Sequence, residues 1–376
     1  MRHLLLSTLL LLATFTFSQT VTTPPSGANQ KSVNTQYIGS LAFVTVTYNS
    51  PDVTDPQGND RNGQIWGQLV PYGLTDLGFG LRNPAPWRAG ANENTTIEFS
   101  HDVMIEGKSL AAGTYGLFIS VEETDPWTII FSNNSTAWGS FFYKASDDAL
   151  KVEVSPEDNE YHEWLTYEFT DRQADHCTLA LMWENKKLPF KIEVSNMEEI
   201  YLTTMRQELE NSAGFNWQSW NQAANYCLQN DINLKEALSW VETSITGAFV
   251  GQEDFVNLST KAQILNKLGQ TDEGQTTLLK AIDHPSATAF QIHGLGRGLI
   301  TQGEHEKALE VFTASHKKFD GAWPTEVGMA RGLSALGKYE EAIKHVEIAV
   351  EQAPDQLNKD YLTKIITSLK EGKDMN

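Results

Sequence analysis

Cysteine is scarce. Only Cys177 and Cys227 occur in 376 residues, and neither stands in a C-x-x-C pair. That excludes a dithiol redox motif and a cysteine-built zinc site. The two fall in different expected domains, so two free, buried thiols are expected. Basic charge is also in deficit: 28 Lys and Arg stand against 48 Asp and Glu, a net charge of −20. The balance is −11 before Asn196 and −9 from there on. With no basic half, the long-range field repels a phosphate backbone or an anionic membrane surface, so no nucleic-acid partner is expected. Long apolar runs are missing after the amino terminus, which excludes an integral membrane segment there. No G-x-S-x-G, phosphate-cradling glycine loop or Ser-x-x-Lys stands in a convincing context.

The amino terminus does carry an apolar run. Arg2 precedes Leu4–Phe17 (LLLSTLLLLATFTF), and small or polar residues follow. This pattern is a signal peptide over 1–18, cut after Ser18. The run is shorter than the ~20 residues that span a bilayer. No Cys stands at the cut, so no lipoprotein anchor is indicated. The chain is therefore expected to be exported, to the periplasm or beyond the cell. Residues 19–31 include the Pro-, Ser- and Gly-rich stretch VTTPPSGANQ and read as a flexible leader.

From Ser32 the pattern becomes a series of short runs rich in β-branched and aromatic residues. They are Ile38–Tyr48, Thr95–Phe99, Val103–Ile105, Thr114–Val121, Trp127–Phe131, Leu150–Val154, Tyr161–Phe169, Thr178–Trp183 and Phe190–Val194. Turn residues separate them. The expected fold over 32–195 is an antiparallel β-sandwich or barrel-like domain.

Helical periodicity takes over in 196–376, and an internal repeat appears. Gly269, Gly303 and Gly337 are each 34 apart. Ala262, Gly296 and Ala330 share that register, as do Leu265, Leu299 and Leu333, then Gly274, Ala308 and Ala342, and Ala281, Ser315 and Ala349. Leu278, Phe312 and Val346 place a larger apolar residue in each second helix. Small residues let two helices approach, the glycine permits a left-handed turn between them, and the larger side chain fills the gap to the next pair. These residues resemble the tetratricopeptide repeat, whose period is also 34. The repeats are expected at about 217–245, 255–285, 289–320 and 323–354, with Gln356–Lys370 as a capping helix. The early Trp of that family is absent; Leu258, Ile292 and Glu326 stand in its place. A multidomain chain follows: β first, then an α-helical tetratricopeptide-repeat solenoid.

The strand-rich region contains four ordered strings: Leu69-Val70-Pro71-Tyr72-Gly73, Trp87-Arg88-Ala89-Gly90-Ala91-Asn92-Glu93, Gly107–Tyr115 (GKSLAAGTY) and Trp127-Thr128-Ile129-Ile130-Phe131. Together they resemble the bacterial family called domain of unknown function 2911, over about Ser32 to Val194. The resemblance implies the fold and the exported location, and no activity. Here Leu74–Pro86 separates Tyr-Gly from Trp-Arg, and Pro51–Gly63 is a second expansion.

Tyr72, Trp87, Arg88, Asn92 and Glu93 are the candidate ligand-binding residues. Arg binds a carboxylate or phosphate in two-pronged fashion, and Trp and Tyr offer flat faces to a glycan or small ligand. The structural alternative has Trp87 plugging the sandwich, Gly90 in a turn, Asn92 bonding backbone and Arg88 paired with Glu93. His101, His162 and His176 are scattered. Asp52, Asp55, Asn59, Asp60 and Asn62 loosely suggest calcium, and a solvated turn is the simpler reading. No catalytic residue, metal ligand or cofactor is assigned. The expected function is a non-enzymatic binding or scaffold protein of the cell envelope, with a protein or peptide in the repeat groove. The alternative is an envelope hydrolase using Arg88 and Glu93.

Overall fold

The computed structural model describes residues 29–124 and 126–376. The expected signal peptide and nearly all of the leader lie outside the described residues. The chain divides into two compact units, with the boundary between Ile200 and Tyr201.

The first unit contains β1 (Gln30–Ile38), β2 (Ala42–Ser50), β3 (Thr96–Phe99), β4 (Val103–Ile105), β5 (Lys108–Leu110), β6 (Gly113–Ser120), β7 (Trp127–Ser132), β8 (Asp148–Val154), β9 (Glu157–Thr170) and β10 (His176–Glu193). Among the described residues they form a six-stranded sheet, β1-β2-β3-β6-β7-β8, and a four-stranded sheet, β5-β4-β10-β9. The strand pairs are antiparallel. Alternate side chains turn inward, as the pleat requires. Val44 and Val46 of β2, Ile97 and Phe99 of β3, and Ile129 and Phe131 of β7 meet Leu165, Tyr167, Leu179 and Leu181 of the facing sheet. The result is a sandwich of two open sheets and not a closed barrel.

Three features depart from the sequence reading. β1 begins at Gln30, inside the stretch expected to be leader, and pairs along its length with β2. Thr178–Trp183 and Phe190–Val194, read as two runs, belong largely to one strand. β10 passes through register shifts between Met182 and Glu184 and between Glu184 and Lys186. Glu184 sits there with φ 53° and is buried, and its carboxylate accepts the backbone N–H of Gly63. Last, the insertion Leu74–Pro86 is anchored at its end, while Leu74, Leu77, Phe79 and Leu81 stay exposed. Ala85 joins Phe118, Ile130 and Tyr143 in a small cluster on the outer face of β6 and β7. Those strands are therefore apolar on both faces and bury both.

Helices follow: α1 (Met197–Leu209), whose first turn still belongs to the first unit, and in the second unit α2 (Trp217–Asn230), α3 (Leu234–Thr246), α4 (Phe255–Lys267), α5 (Thr271–Asp283), α6 (Ala289–Thr301), α7 (His305–Lys318), α8 (Trp323–Ala335), α9 (Tyr339–Gln352) and α10 (Gln356–Lys370). The helices α2 to α9 form four consecutive hairpins, and α10 packs on α9. Each repeat register lands where the packing needs it. Ala262, Ala330, Ala308, Ala342, Ala281 and Ala349 are all fully buried. After α4, α6 and α8 the chain turns at Gly269, Gly303 and Gly337, with φ 80°, 79° and 72°. In each turn the following N–H returns to the last helical turn, as in Gln270 to the Leu265 carbonyl at 2.9 Å.

One helix separates propensity from packing. A Cβ on Gly296 of α6 would lie 2.4 Å from the Phe312 ring, whereas Gly294 and Gly298 have nothing within 4 Å. Gly294→Ala and Gly298→Ala are each expected to raise stability by up to about 1 kcal/mol, the helix-propensity difference. Gly296→Ala is expected to lower it by about 1–3 kcal/mol, because overpacking outweighs propensity. Urea unfolding of the three variants measures the contrast.

Candidate functional site

The segment Trp87–Glu93 is held by backbone and buried hydroxyls. Trp87 exchanges backbone hydrogen bonds with Ile119, both at 2.9 Å. Ala89 and Asn92 adopt φ 53° and 55°. The Ala89 carbonyl accepts the Tyr167 hydroxyl at 2.9 Å and the Thr95 hydroxyl at 3.1 Å. A Cβ on Gly90 would fall 2.6 Å from Thr95 Oγ1, so only glycine fits there. The Trp-Arg-x-Gly-Ala-Asn string thus shapes a rigid, inward-curling loop.

That loop edges a cleft of about 320 Å³, whose lining includes Trp87, Arg88, Asn92, Asp52, Arg61 and Trp183. Tyr72 and Glu93 do not line it. Tyr72 packs its ring over Gly67, where any Cβ would clash at 2.3 Å. Glu93 accepts the Asn49 side-chain amide at 2.8 Å. The Arg88–Glu93 ion pair of the structural alternative is not formed. Instead Arg88 donates to the Asn92 carbonyl at 2.8 Å and lies over the Phe141 ring at 5.4 Å. Burial pulls its pKa below the ordinary arginine value. Among the described residues no carboxylate lies within ion-pair distance of it, so most of its five N–H donors remain available to a small anion.

Indoles form the back of the cleft. Trp87 stacks on Trp183 at 6.0 Å and 19°. Trp66 packs edgewise against both, at 5.9 and 5.8 Å, and against Trp127 at 4.9 Å. Trp127 and Trp183 are buried, and Trp66 and Trp87 pack half-buried against the same core. Trp138 and Trp164 are exposed.

Residues 29–192 match the family described as Protein of unknown function (DUF2911). No curated protein matches the chain. The cleft belongs wholly to the DUF2911 region, and two of its walls, Asp52 and Arg61, come from the expansion Pro51–Gly63. Asp55 in that expansion accepts the backbone N–H groups of Gln57 and Asn59 at 2.9 and 2.8 Å, which makes a self-bonded turn. The Asn59 side-chain amide, which donates to the other carboxylate oxygen at 2.7 Å, and then those backbone bonds hold the Asp55 carboxyl below its usual range. His101 bonds Ser100 and His176 bonds Asp175, and among the described residues neither these two nor His162 joins a metal-ligating cluster. Cys177 and Cys227 are free and buried, and burial pushes their thiols up to about 12 and about 11.

The helical unit offers a larger concavity. A groove of about 650 Å³ runs across α2, α4 and α6, with amides from Asn225, Gln229, Gln263, Asn266 and Gln302 on its surface. Its lysines are neutralised locally: Lys267 pairs with Asp231 at 2.9 Å and Lys307 with Glu304 at 2.5 Å. The volume lies within the ~300–1,000 Å³ usual for ligand sites. Solved structures similar to this unit include YrrB, described as a TPR protein with an unusual peptide-binding site. It is 19% identical, with 44% of this chain and 83% of that chain covered and a TM-score of 0.27. TTC0263, a thermophilic TPR protein of Thermus thermophilus, is 16% identical over 45% and 89%, with a TM-score of 0.29. MamA is 15% identical over 43% and 89%, with a TM-score of 0.28.

One constellation escaped the sequence reading: His316, Glu326 and His345 meet in space. Its signal was Glu326, a carboxylate at the register where Leu258 and Ile292 are buried apolar residues.

Proposed function

We propose that this chain is an exported, non-enzymatic binding protein of the cell envelope, whose helical unit holds a protein or peptide segment. The groove across α2, α4 and α6 carries the reading. Amide side chains donate and accept at once, which suits the backbone of an extended segment, and the paired lysines leave little net charge there. Leu228 and Leu299 supply apolar contact in the same groove. The export reading rests on Arg2 and the apolar run Leu4–Phe17. The cleft at Trp87, Arg88 and Asn92 is the companion site, suited to a small anionic ligand or a glycan bearing a carboxylate. Nothing in the position of Glu93 favours the hydrolase alternative, since its carboxylate is held by Asn49 outside that cleft.

The test is a peptide-library selection on the full mature chain, followed by affinity measurement with selected peptides. Gln263→Ala together with Gln302→Ala is expected to weaken binding by roughly 10- to 30-fold, about 1 kcal/mol for each lost hydrogen bond. Thermal stability should stay unchanged. Peptides whose affinity ignores both substitutions would remove the groove as the binding surface.

A further inference from the structure

We propose that His316, Glu326 and His345 form a binding site for Zn²⁺ or a similar imidazole-preferring divalent ion. The site would join α7, α8 and α9. One donor atom from each residue lies within 4.8 Å of the other two. His316 Nε2 stands 2.8 Å from Glu326 Oε1, and His345 Nδ1 stands 2.6 Å from Glu326 Oε2. The two imidazole rings are 5.7 Å apart and nearly perpendicular, at 85°.

The placement is costly unless it has a use. Glu326 is 4% exposed in an array whose other repeats bury Leu258 and Ile292 at this register. His316 stands where the preceding repeat has buried Ile282, and His345 where it has buried Val311. Positions that the preceding repeat fills with buried Ile292, Ile282 and Val311 thus carry three metal-ligating side chains, on three helices. No Lys or Arg forms an ion pair with Glu326 among the described residues, so the histidines are its charge partners. A buried carboxylate demands such compensation, and a dication supplies it most fully.

The donor set fits the ion. Two imidazoles and one carboxylate make the three-ligand zinc arrangement that leaves a fourth position for water. Nitrogen donors disfavour calcium and magnesium, which prefer all-oxygen shells. Bonds of about 2.0–2.1 Å in a tetrahedral site put ligand atoms ~3.3 Å apart. The two histidine–carboxylate separations therefore have to open by roughly 0.5–0.7 Å, within the reach of side-chain torsions. Space exists for this: a Cβ on Gly321 would sit 3.0 Å from Glu326 Oε1 and 3.2 Å from His316 Nε2, and glycine omits it. The histidine side chains keep 34% and 24% exposure, which gives the ion a path inward. The proton account is simple. Without metal, each facing ring nitrogen donates its N–H to Glu326. With metal, that nitrogen presents its lone pair; a neutral imidazole moves the proton to its other nitrogen, and a charged one releases it to solvent.

The experiment uses untagged mature protein stripped with a chelator and titrated with Zn²⁺ by calorimetry and with Co²⁺ by visible absorption. One equivalent per chain and a tetrahedral Co²⁺ spectrum are expected. His316→Ala combined with His345→Ala should weaken Zn²⁺ binding by more than ~100-fold, since outer-shell changes alone cost 10- to 100-fold. As a measurement on the unaltered chain, Zn²⁺ should protect His316 and His345 from carbethoxylation while His305 still reacts. Absence of stoichiometric binding by the wild type, binding that survives the double substitution in a folded variant, or unprotected His316 and His345 would each reduce the cluster to a hydrogen-bonded triad and overturn the proposal.

Discussion

Phe312→Ala is expected to destabilise the helical unit by about 3–5 kcal/mol, the range for removing a buried aromatic side chain. Phe312 of α7 is 1% exposed, and its ring occupies space left by glycines on two neighbouring helices. A Cβ at Gly296 of α6 or at Gly328 of α8 would come within 2.4 or 2.6 Å of that ring. The His293 ring of α6 lies 5.6 Å from it, centroid to centroid. Burial there lowers the His293 pKa to about 4, so that imidazole is uncharged at neutral pH. Because backbone lines so much of the pocket, it cannot collapse readily, and the loss should fall toward the upper end of the range. The glycines make a sharper check. In the Phe312→Ala background the methyl of Gly328→Ala would enter a void instead of a ring, so the double variant should lose less than the two single losses added together. Urea unfolding followed by far-UV circular dichroism gives all three values; strict additivity would mean that ring and glycine do not share this space.

Trp183→Ala is expected to cost a similar ~3–5 kcal/mol, now in the sandwich. Trp183 is 1% exposed and touches both Trp87 and Trp66. Its removal leaves Trp87 without the stacked partner that forms the back of the cleft. The indole Nε1 of Trp183 has no hydrogen-bond partner among the described residues, so Trp183→Phe gives up ring area alone and should lose clearly less. Thermal unfolding of the pair distinguishes packing from polarity. A loss for Phe as large as that for Ala would assign an unsuspected role to the indole nitrogen.

Much of this molecule was legible in its residues, for reasons that differ by region. The helical half writes its packing in a fixed period, so Ala262, Gly296 and Ala330 announce close helix contact without any knowledge of the partner. Strand runs such as Trp127–Phe131 were equally plain, because β-branched and aromatic residues cluster there. What failed to show was long-range. Gln30 and Lys31 carry no apolar signal and become strand only because β2 offers them hydrogen bonds. The two halves of β10 looked separate because Glu-Asn-Lys-Lys between them reads as a loop, whereas Glu184 is buried to bond the Gly63 backbone. In the candidate cleft, Trp87, Arg88 and Asn92 converge through the left-handed turns at Ala89 and Asn92, and Asp52 and Arg61 arrive from a loop over twenty residues upstream. Tyr72 and Glu93 were grouped with them by sequence proximity, which does not determine which way a side chain faces. The histidine pair around Glu326 shows the same limit. Separations of 10 and 19 residues cross two interhelical turns and match no linear ligand motif.

The three turn glycines have an evolutionary corollary. Gly269, Gly303 and Gly337 each bend within their own hairpin, with no atom of the described residues beyond the chain neighbours within 4 Å of the missing Cβ. A bend that borrows nothing from its surroundings can be copied together with its two helices and spliced in elsewhere. Array length is therefore a quantity that duplication can change in whole 34-residue steps.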